Sequence, residues 1–325
     1  MTAPEGGARK YSQEVVSMSV LKEEFTYPSI VGDAEIHAIS WKPEGTPKAV
    51  MQIIHGMAEY VDRYDGMACW LAERGVAVFG NDHLGHGLSV NDKYPLGYFG
   101  KENENCFVFR DDAKKLTDIA KKEYPGVPFV AFGHSMGSFI NRIYLEKYSE
   151  DVDAAIICGT AGPNPLIGAA LAATKVFSAT SPKKPGKVMN GLAFGTYNNK
   201  TDKRTAFDWL SVNEKNVDVY IDDPLCGFLF SNQGFRDLIT LNNYMVKDSV
   251  FDGCRADLPI LLIAGEEDPV GAYGEGVKQT YESYKKGHTD VSMKLYEGKR
   301  HEIHNEEDGE VVYQDILNFI EEKVL

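Results

Sequence analysis

The chain repeats one short phrase: a run of apolar, often β-branched residues that gives way to a glycine-bearing loop. It occurs as "KAVMQIIHG", "GVAVFGNDHLGHG", "VPFVAFGHS", "DAAIICGT" and "LPILLIAGEEDP". Runs this short and this continuously apolar suit strands covered on both faces, because a strand with one wet face alternates instead. Helical patterns fall between them, in "YDGMACWLAERG" and "CFVFRDDAKKLTDIAKKEYPG". In the second, Phe109, Leu116, Ile119 and Ala120 recur near helical spacing before the stop at "YPG". Two earlier segments, "SVLKEEFTY" and "AEIHAISW", read as strands joined by the turn "PSIVGD". This alternation predicts an α/β fold, a mostly parallel sheet flanked by helices, with functional residues at the carboxyl ends of the strands.

The rhythm stops after Thr160. Residues 161–235 carry "GPNPLIGAALAATKVFSATSPKKPGK" and "DDPLCGFLFSNQGF", a stretch too long for a loop and without the strand phrase. It predicts a helical cap inserted over the active edge of the sheet. The core would then be residues 1–160 and 236–325, and a chain of 325 residues suits one such unit.

Charge narrows the partners. The net charge is 34 − 48 = −14, which argues against nucleic acid and disfavours an anionic membrane surface, though a neutral lipid remains open as a substrate. Five cysteines, Cys69, Cys106, Cys158, Cys226 and Cys254, are widely spaced with no CxxC pair, so reduced, mostly buried thiols are expected. The start "MTAPEGGARKYSQ" lacks an apolar core, and no run approaches the length of a membrane span. The expected compartment is the cytoplasm.

"FVAFGHSMGSFINRIYLEKY" holds Gly133-His134-Ser135-Met136-Gly137. The G-x-S-x-G pattern alone arises by chance in about one chain in ten of this length. Its setting is more specific, because an apolar run precedes it and a helix with Phe139, Ile140, Ile143, Tyr144 and Tyr148 on one face follows. Strand, sharp turn and helix form a nucleophile elbow, with the positive helix end near any oxyanion. A serine needs a base, and the base an orienting acid, in the chain order serine, acid, histidine. After Ser135 the loop "GEEDPV" offers Glu266, Glu267 and Asp268; the Asp-Pro step favours Asp268, with the two glutamates as alternatives. Of the downstream histidines, His288 sits in the polar segment "KKGHTD", whereas His301 follows the last strand pattern, "VSMKLYEG". His301 is therefore the expected base, with His304 lining the same site. The oxyanion donors expected are the amides of Met136 and, from the loop His55-Gly56-Met57, of Met57. "HEIH" is one residue short of the zinc-binding H-E-x-x-H, and "DHLGH" offers a second histidine pair. With a serine apparatus present, neither a catalytic metal nor another cofactor is expected.

The segments "HGMAEYVDRY" (55–64), "NDHLGHGLS" (81–89), "GHSMG" (133–137), "GEEDPV" (265–270) and "RHEIHNE" (300–306) appear together in this order. As a set they resemble the monoglyceride lipase, lysophospholipase and serine aminopeptidase-like group of α/β-hydrolases over roughly residues 20–322. The resemblance implies an α/β-hydrolase fold with Ser135 as nucleophile, Asp268 as acid, His301 as base, and Met57 and Met136 at the oxyanion positions. It further implies that Glu59, Arg63 and His304 hold a glycerol head group, or else brace the loop as a structural pair. "DHLGHG" is similar to a mainly architectural loop, so no chemistry is assigned to His83 or His86. Tyr60 and Ser138 depart from the histidine and glycine common there.

The implied function is a serine hydrolase cleaving carboxylic esters through an acyl-enzyme, with monoacylglycerol- or lysophospholipid-type single-acyl lipids as substrates. In the cap, "PLIGAALAATKVF" would face an acyl chain or a lipid surface, or else be a packing face. The alternatives are a short-chain carboxylesterase, an aminopeptidase-like amide hydrolase using Glu214, Asp222 or Asp223 to hold an ammonium, and a non-enzymatic binding protein on the same scaffold.

Overall fold

The computed structural model describes residues 19–100 and 107–325. The amino-terminal segment read for a leader and Cys106 lie outside them. Eight strands form one sheet: β1 (Val20–Pro28), β2 (Glu35–Pro43), β3 (Ala49–Ile54), β4 (Val76–Asn81), β5 (Phe129–His134), β6 (Ala154–Cys158), β7 (Ile260–Gly265) and β8 (Val291–Tyr296). Their order is β1-β2-β4-β3-β5-β6-β7-β8. The pairs β1–β2 and β2–β4 are antiparallel and all others parallel.

The apolar runs are continuous because both faces of the central strands are covered. Along β5, Phe129 and Ala131 join one core, while Val130 and Phe132 join the other. The first core is closed by α2 (Phe107–Glu123), α3 (Met136–Tyr148) and α9 (Glu275–Lys285); the second is closed by α1 (Asp65–Ala72) and α10 (Glu310–Val324).

Between β6 and β7 lie α4 (Ile167–Thr180), α5 (Lys187–Phe194), α6 (Glu214–Asp222), α7 (Asn232–Tyr244) and α8 (Asp248–Asp252). Residue 235 falls inside α7, whose first turn is capped by the Ser231 hydroxyl accepting from the Gly234 amide at 3.0 Å. Among the described residues no helix is long and apolar enough to cross a membrane. Cys69, Cys158, Cys226 and Cys254 are free thiols.

The loop after β4 is held by one buried carboxylate. Asp82 accepts from the amides of Val61 at 2.9 Å and Leu88 at 2.8 Å, and pairs with His37 Nδ1 at 3.0 Å. This spends the carboxylate on loop geometry.

Candidate active site

Ser135 occupies the turn from β5 into α3 with φ +55° and ψ −124°, a conformation that a residue with a Cβ adopts only under constraint. Packing supplies the constraint. Helix α3 approaches β3 so closely that a Cβ on Gly137 would stand 1.9 Å from the Ile54 carbonyl oxygen. A Gly137→Ala variant is therefore expected to lose about 3 kcal/mol or more of stability, read from urea melts. An unchanged midpoint would mean that the helix moves aside freely. Ser138, where the related group commonly has glycine, donates its hydroxyl to the Ser135 carbonyl at 2.6 Å.

Asp268 follows β7 and is fully buried. Its Oδ1 accepts the Val270 amide at 2.8 Å, and its Oδ2 faces His301 Nδ1 at 2.9 Å. Glu266 and Glu267 are exposed, so of the three acids offered by the loop only Asp268 meets the histidine. The approach depends on Gly265, since a Cβ there would lie 2.1 Å from the Arg300 carbonyl oxygen in the crossing loop. Burial resists a proton on His301, but the charge and hydrogen bond of Asp268 outweigh it and hold its pKa above the ordinary value. His288 is buried rather than at a polar surface, because its ring folds under the end of α9 with Nδ1 3.0 Å from the Tyr284 carbonyl.

Behind these groups runs a buried hydrogen-bonded chain. Glu59 Oε1 accepts the Gly56 amide at 2.6 Å and the Tyr64 hydroxyl at 2.8 Å. Tyr64 Oη also meets His134 Nδ1 at 3.0 Å, and His134 Nε2 lies 3.2 Å from the His301 carbonyl. Arg63 bridges Glu59 at 2.6 Å and Glu302 at 2.7 Å, with its guanidinium 4.8 Å from the centre of the Tyr220 ring. Burial disfavours charge on Glu302, yet Arg63 overrides it and lowers that pKa to about 2. Of the three residues expected at a head group, Glu59 borders the cavity, whereas Arg63 and His304 are absent from its lining. His304 is stacked on Tyr64 at 4.8 Å. Among the described residues neither of its ring nitrogens has a hydrogen-bond partner. Donor atoms of His134, Cys158 and His304 lie within 4.8 Å of one another. This set fits a packed core better than an ion, since both His134 nitrogens are engaged and burial raises the Cys158 pKa, keeping it a thiol.

Ser135, His301, Met57 and Met136 open on one cavity of about 970 Å³. Its apolar wall includes Leu166, Ile167 and Ala170 beside or on α4, Met189 and Leu192 on α5, and Leu238 on α7. Sequence reasoning passed over Glu302 and Trp209, which also line it. Glu302 carried a signal in its place beside His301. Trp209 carried none, because the segment between β6 and β7 has no periodic register to place it.

The serine turn on a doubly wound sheet makes this chain an α/β-hydrolase, and within that class a serine ester hydrolase. It belongs to the serine aminopeptidase S33 family, whose model matches residues 45–308. It is 28% identical over 271 residues to the monoglyceride lipase of Mus musculus, covering 82% of this chain and 79% of that one. It is 26% identical over 307 residues to the monoacylglycerol lipase of Mycolicibacterium smegmatis, covering 93% and 98%. Among solved structures, a thermostable carboxyl esterase from Bacillus coagulans in complex with glycerol superposes with a TM-score of 0.88 at 28% identity, covering 94% of this chain and all of the other. A soluble variant of the Saccharomyces cerevisiae monoglyceride lipase shares the fold at a TM-score of 0.73 and 17% identity, covering 97% and 98%.

Proposed function

We propose that the chain hydrolyses monoacylglycerols and similar single-acyl lipids through an acyl-enzyme on Ser135. The supporting observation is the single cavity that joins Ser135 and His301 to an apolar wall from α4, α5 and α7, with Glu59 and Glu302 among its polar lining. His301 takes the Ser135 proton as that oxygen attacks the ester carbonyl, then returns it to the leaving alcohol. The Met57 and Met136 amides hold the oxyanion, at about 2.7–4 kcal/mol for each donor. Water, deprotonated by the same imidazole, releases the acid. Asp268 fixes the tautomer of His301 and stabilises its charged form. Glu59 and Glu302 face the alcohol end of the substrate, while Arg63 braces them from behind and His304 packs on Tyr64. The lipase relatives favour a glyceride over other esters.

In this reading residues 161–235 act as the cap, and residues 1–160 and 236–325 form the core. Val176, 65% exposed, and Val188, 56% exposed, lie outside the cavity lining and form an apolar outer face on which the cap meets a lipid surface. The four free thiols suit the cytoplasm. The amide alternative gains little from the cap acids, since Glu214 and Asp222 are exposed outside the cavity and Asp223 is bound to the Tyr60 hydroxyl at 2.7 Å.

The test is hydrolysis of 1-monoacylglycerols across chain lengths, beside a lysophospholipid and an aminoacyl amide. A long-chain optimum on glycerides is expected, with Val176→Glu slowing aggregated substrate more than monomeric substrate. Activity confined to short esters or amides would remove the lipid assignment.

A further inference from the structure

One segment of the cap is fastened to the loop that carries His301. Arg300 donates to the carbonyls of Asp208 at 2.8 Å and Ser211 at 3.0 Å, and the Glu302 amide donates to Leu210 at 2.7 Å. The Glu306 carboxylate receives the Ser211 hydroxyl at 2.9 Å and the amides of Val212 and Asn213, each at 3.1 Å. Asn216 reaches Glu302 at 2.7 Å. Asp208, Ser211, Glu302 and Glu306 are all buried, so water competes little for these bonds. Residues 208–213 and the histidine loop thus form one unit.

Within that unit Trp209 lays its indole against His301, with ring centres 5.2 Å apart and planes at 43°. The indole is itself held. The Trp209 amide donates to Asn198 Oδ1 at 2.9 Å, Phe194 stacks parallel to the ring at 6.1 Å, and Tyr197 meets it edge-on at 5.0 Å. A second contact reaches the loop of Asp268, where the Lys200 ammonium rests 3.5 Å from the centre of the Tyr273 ring.

We propose that Trp209 is a positioning residue of the reaction, holding the His301 imidazole in the plane that serves Asp268 and placing an aromatic surface beside the imidazolium as it forms. The inference rests on the assignment of His301 as the base. An imidazole that shuttles a proton must stay in register with its acid and its nucleophile while its charge changes. An adjacent ring restricts its rotation and favours the charged form. The charged and titratable groups around His301 are Asp268, Glu302, Glu59 and His134.

The test compares W209F, W209L and W209A on p-nitrophenyl acetate, whose acyl group is too short to use the apolar wall. Losses of about tenfold in kcat are expected for W209L and W209A, with W209F within about twofold of wild type. A second readout uses the emission of Trp209, taken as wild type minus W209F, because a protonated imidazole quenches an indole in contact with it. That emission is expected to fall as pH drops through the midpoint of kcat/KM, and the titration is expected to vanish in H301Q. Unchanged kcat in all three variants with a raised KM for long-chain esters would make Trp209 a cavity wall and overturn the proposal. So would an emission titration that persists in H301Q. Full esterase activity in H301Q would instead overturn the assignment of the base.

Discussion

Replacing Ser135 with alanine is expected to lower kcat by about 10⁶, and replacing Asp268 with asparagine by about 10⁴. Alanine keeps the Cβ, so the elbow at φ +55° retains its local strain and its packing on β3; the fold survives while the attacking oxygen is gone. Asparagine still offers an oxygen to the Val270 amide. Its amide nitrogen, however, would face His301 Nδ1 where a carboxylate stood at 2.9 Å. That reverses the tautomer and leaves no basic nitrogen for the serine. The pH profile carries a second signature. Because the folded-state pKa of His301 is raised, the proposed base is expected to be protonated and idle until pH climbs past a midpoint above the ordinary imidazole value. Losing the Asp268 charge should bring that midpoint down. Kinetics on a p-nitrophenyl ester, with mass spectrometry for the acyl-enzyme, measure both effects. Turnover retained in Ser135→Ala would exclude the acyl-enzyme route, and an unshifted midpoint in Asp268→Asn would exclude the coupling.

These groups were legible because each is tied to a strand end. Strands β5 and β7, buried on both faces, announce themselves as apolar runs, and the loops that end them are where Ser135 and Asp268 stand; β8, only partly buried, precedes His301. Chain order then left few choices. What the sequence hid depends on side-chain direction. Glu59 and Arg63 share one short segment, yet Glu59 borders the cavity while Arg63 turns to Glu302 from the far end of the chain. Spacing does not encode that pairing. The helices between β6 and β7 were legible only as a break in rhythm. Helix α4 leaves most of its side chains at least partly exposed, and only Thr174 and Ser178 are buried, so no apolar stripe fixes its face. The contact of Trp209 with His301 follows from bonds that the backbone of residues 208–213 makes to the Arg300 and Glu306 side chains and the Glu302 amide, and a backbone partner has no signature in residue type.

The protein is expected to unfold steeply in mild acid, because it buries several histidines in the neutral state. Burial, with help from neighbouring imidazoles, lowers the pKa of His55 to about 4 and those of His86 and His304 to about 3, and holds His83 well below the ordinary value. In the unfolded chain each titrates near 6.5. Their contribution is therefore fully present above that value and is lost as pH falls, since the unfolded state takes up protons the folded state refuses. Each such group contributes about 1.4 kcal/mol per pH unit in this window. Asp112 works the other way, since burial raises its carboxyl pKa to about 6 and the folded state then gains a proton first. Glu306, its carboxyl pKa also raised by burial, works with Asp112, so four groups against two leave roughly 3 kcal/mol lost per pH unit below about 6. A stability of about 5–15 kcal/mol does not outlast that for long, so a cooperative midpoint is expected between about pH 3 and 5. Urea melts from pH 7 downward measure the slope. The variant that isolates the cause is His86→Phe. Its ring stacks on Phe99 at 5.3 Å, its Nδ1 makes only a long 3.3 Å bond to the Leu84 carbonyl, and among the described residues its Nε2 has no hydrogen-bond partner. Phenylalanine should fit that aromatic pocket, hold stability at pH 7, and flatten the acid slope by about one proton. A wild-type slope that is flat between pH 6 and 4, or one that His86→Phe leaves untouched, would mean that these buried rings do not govern the acid limit of the fold.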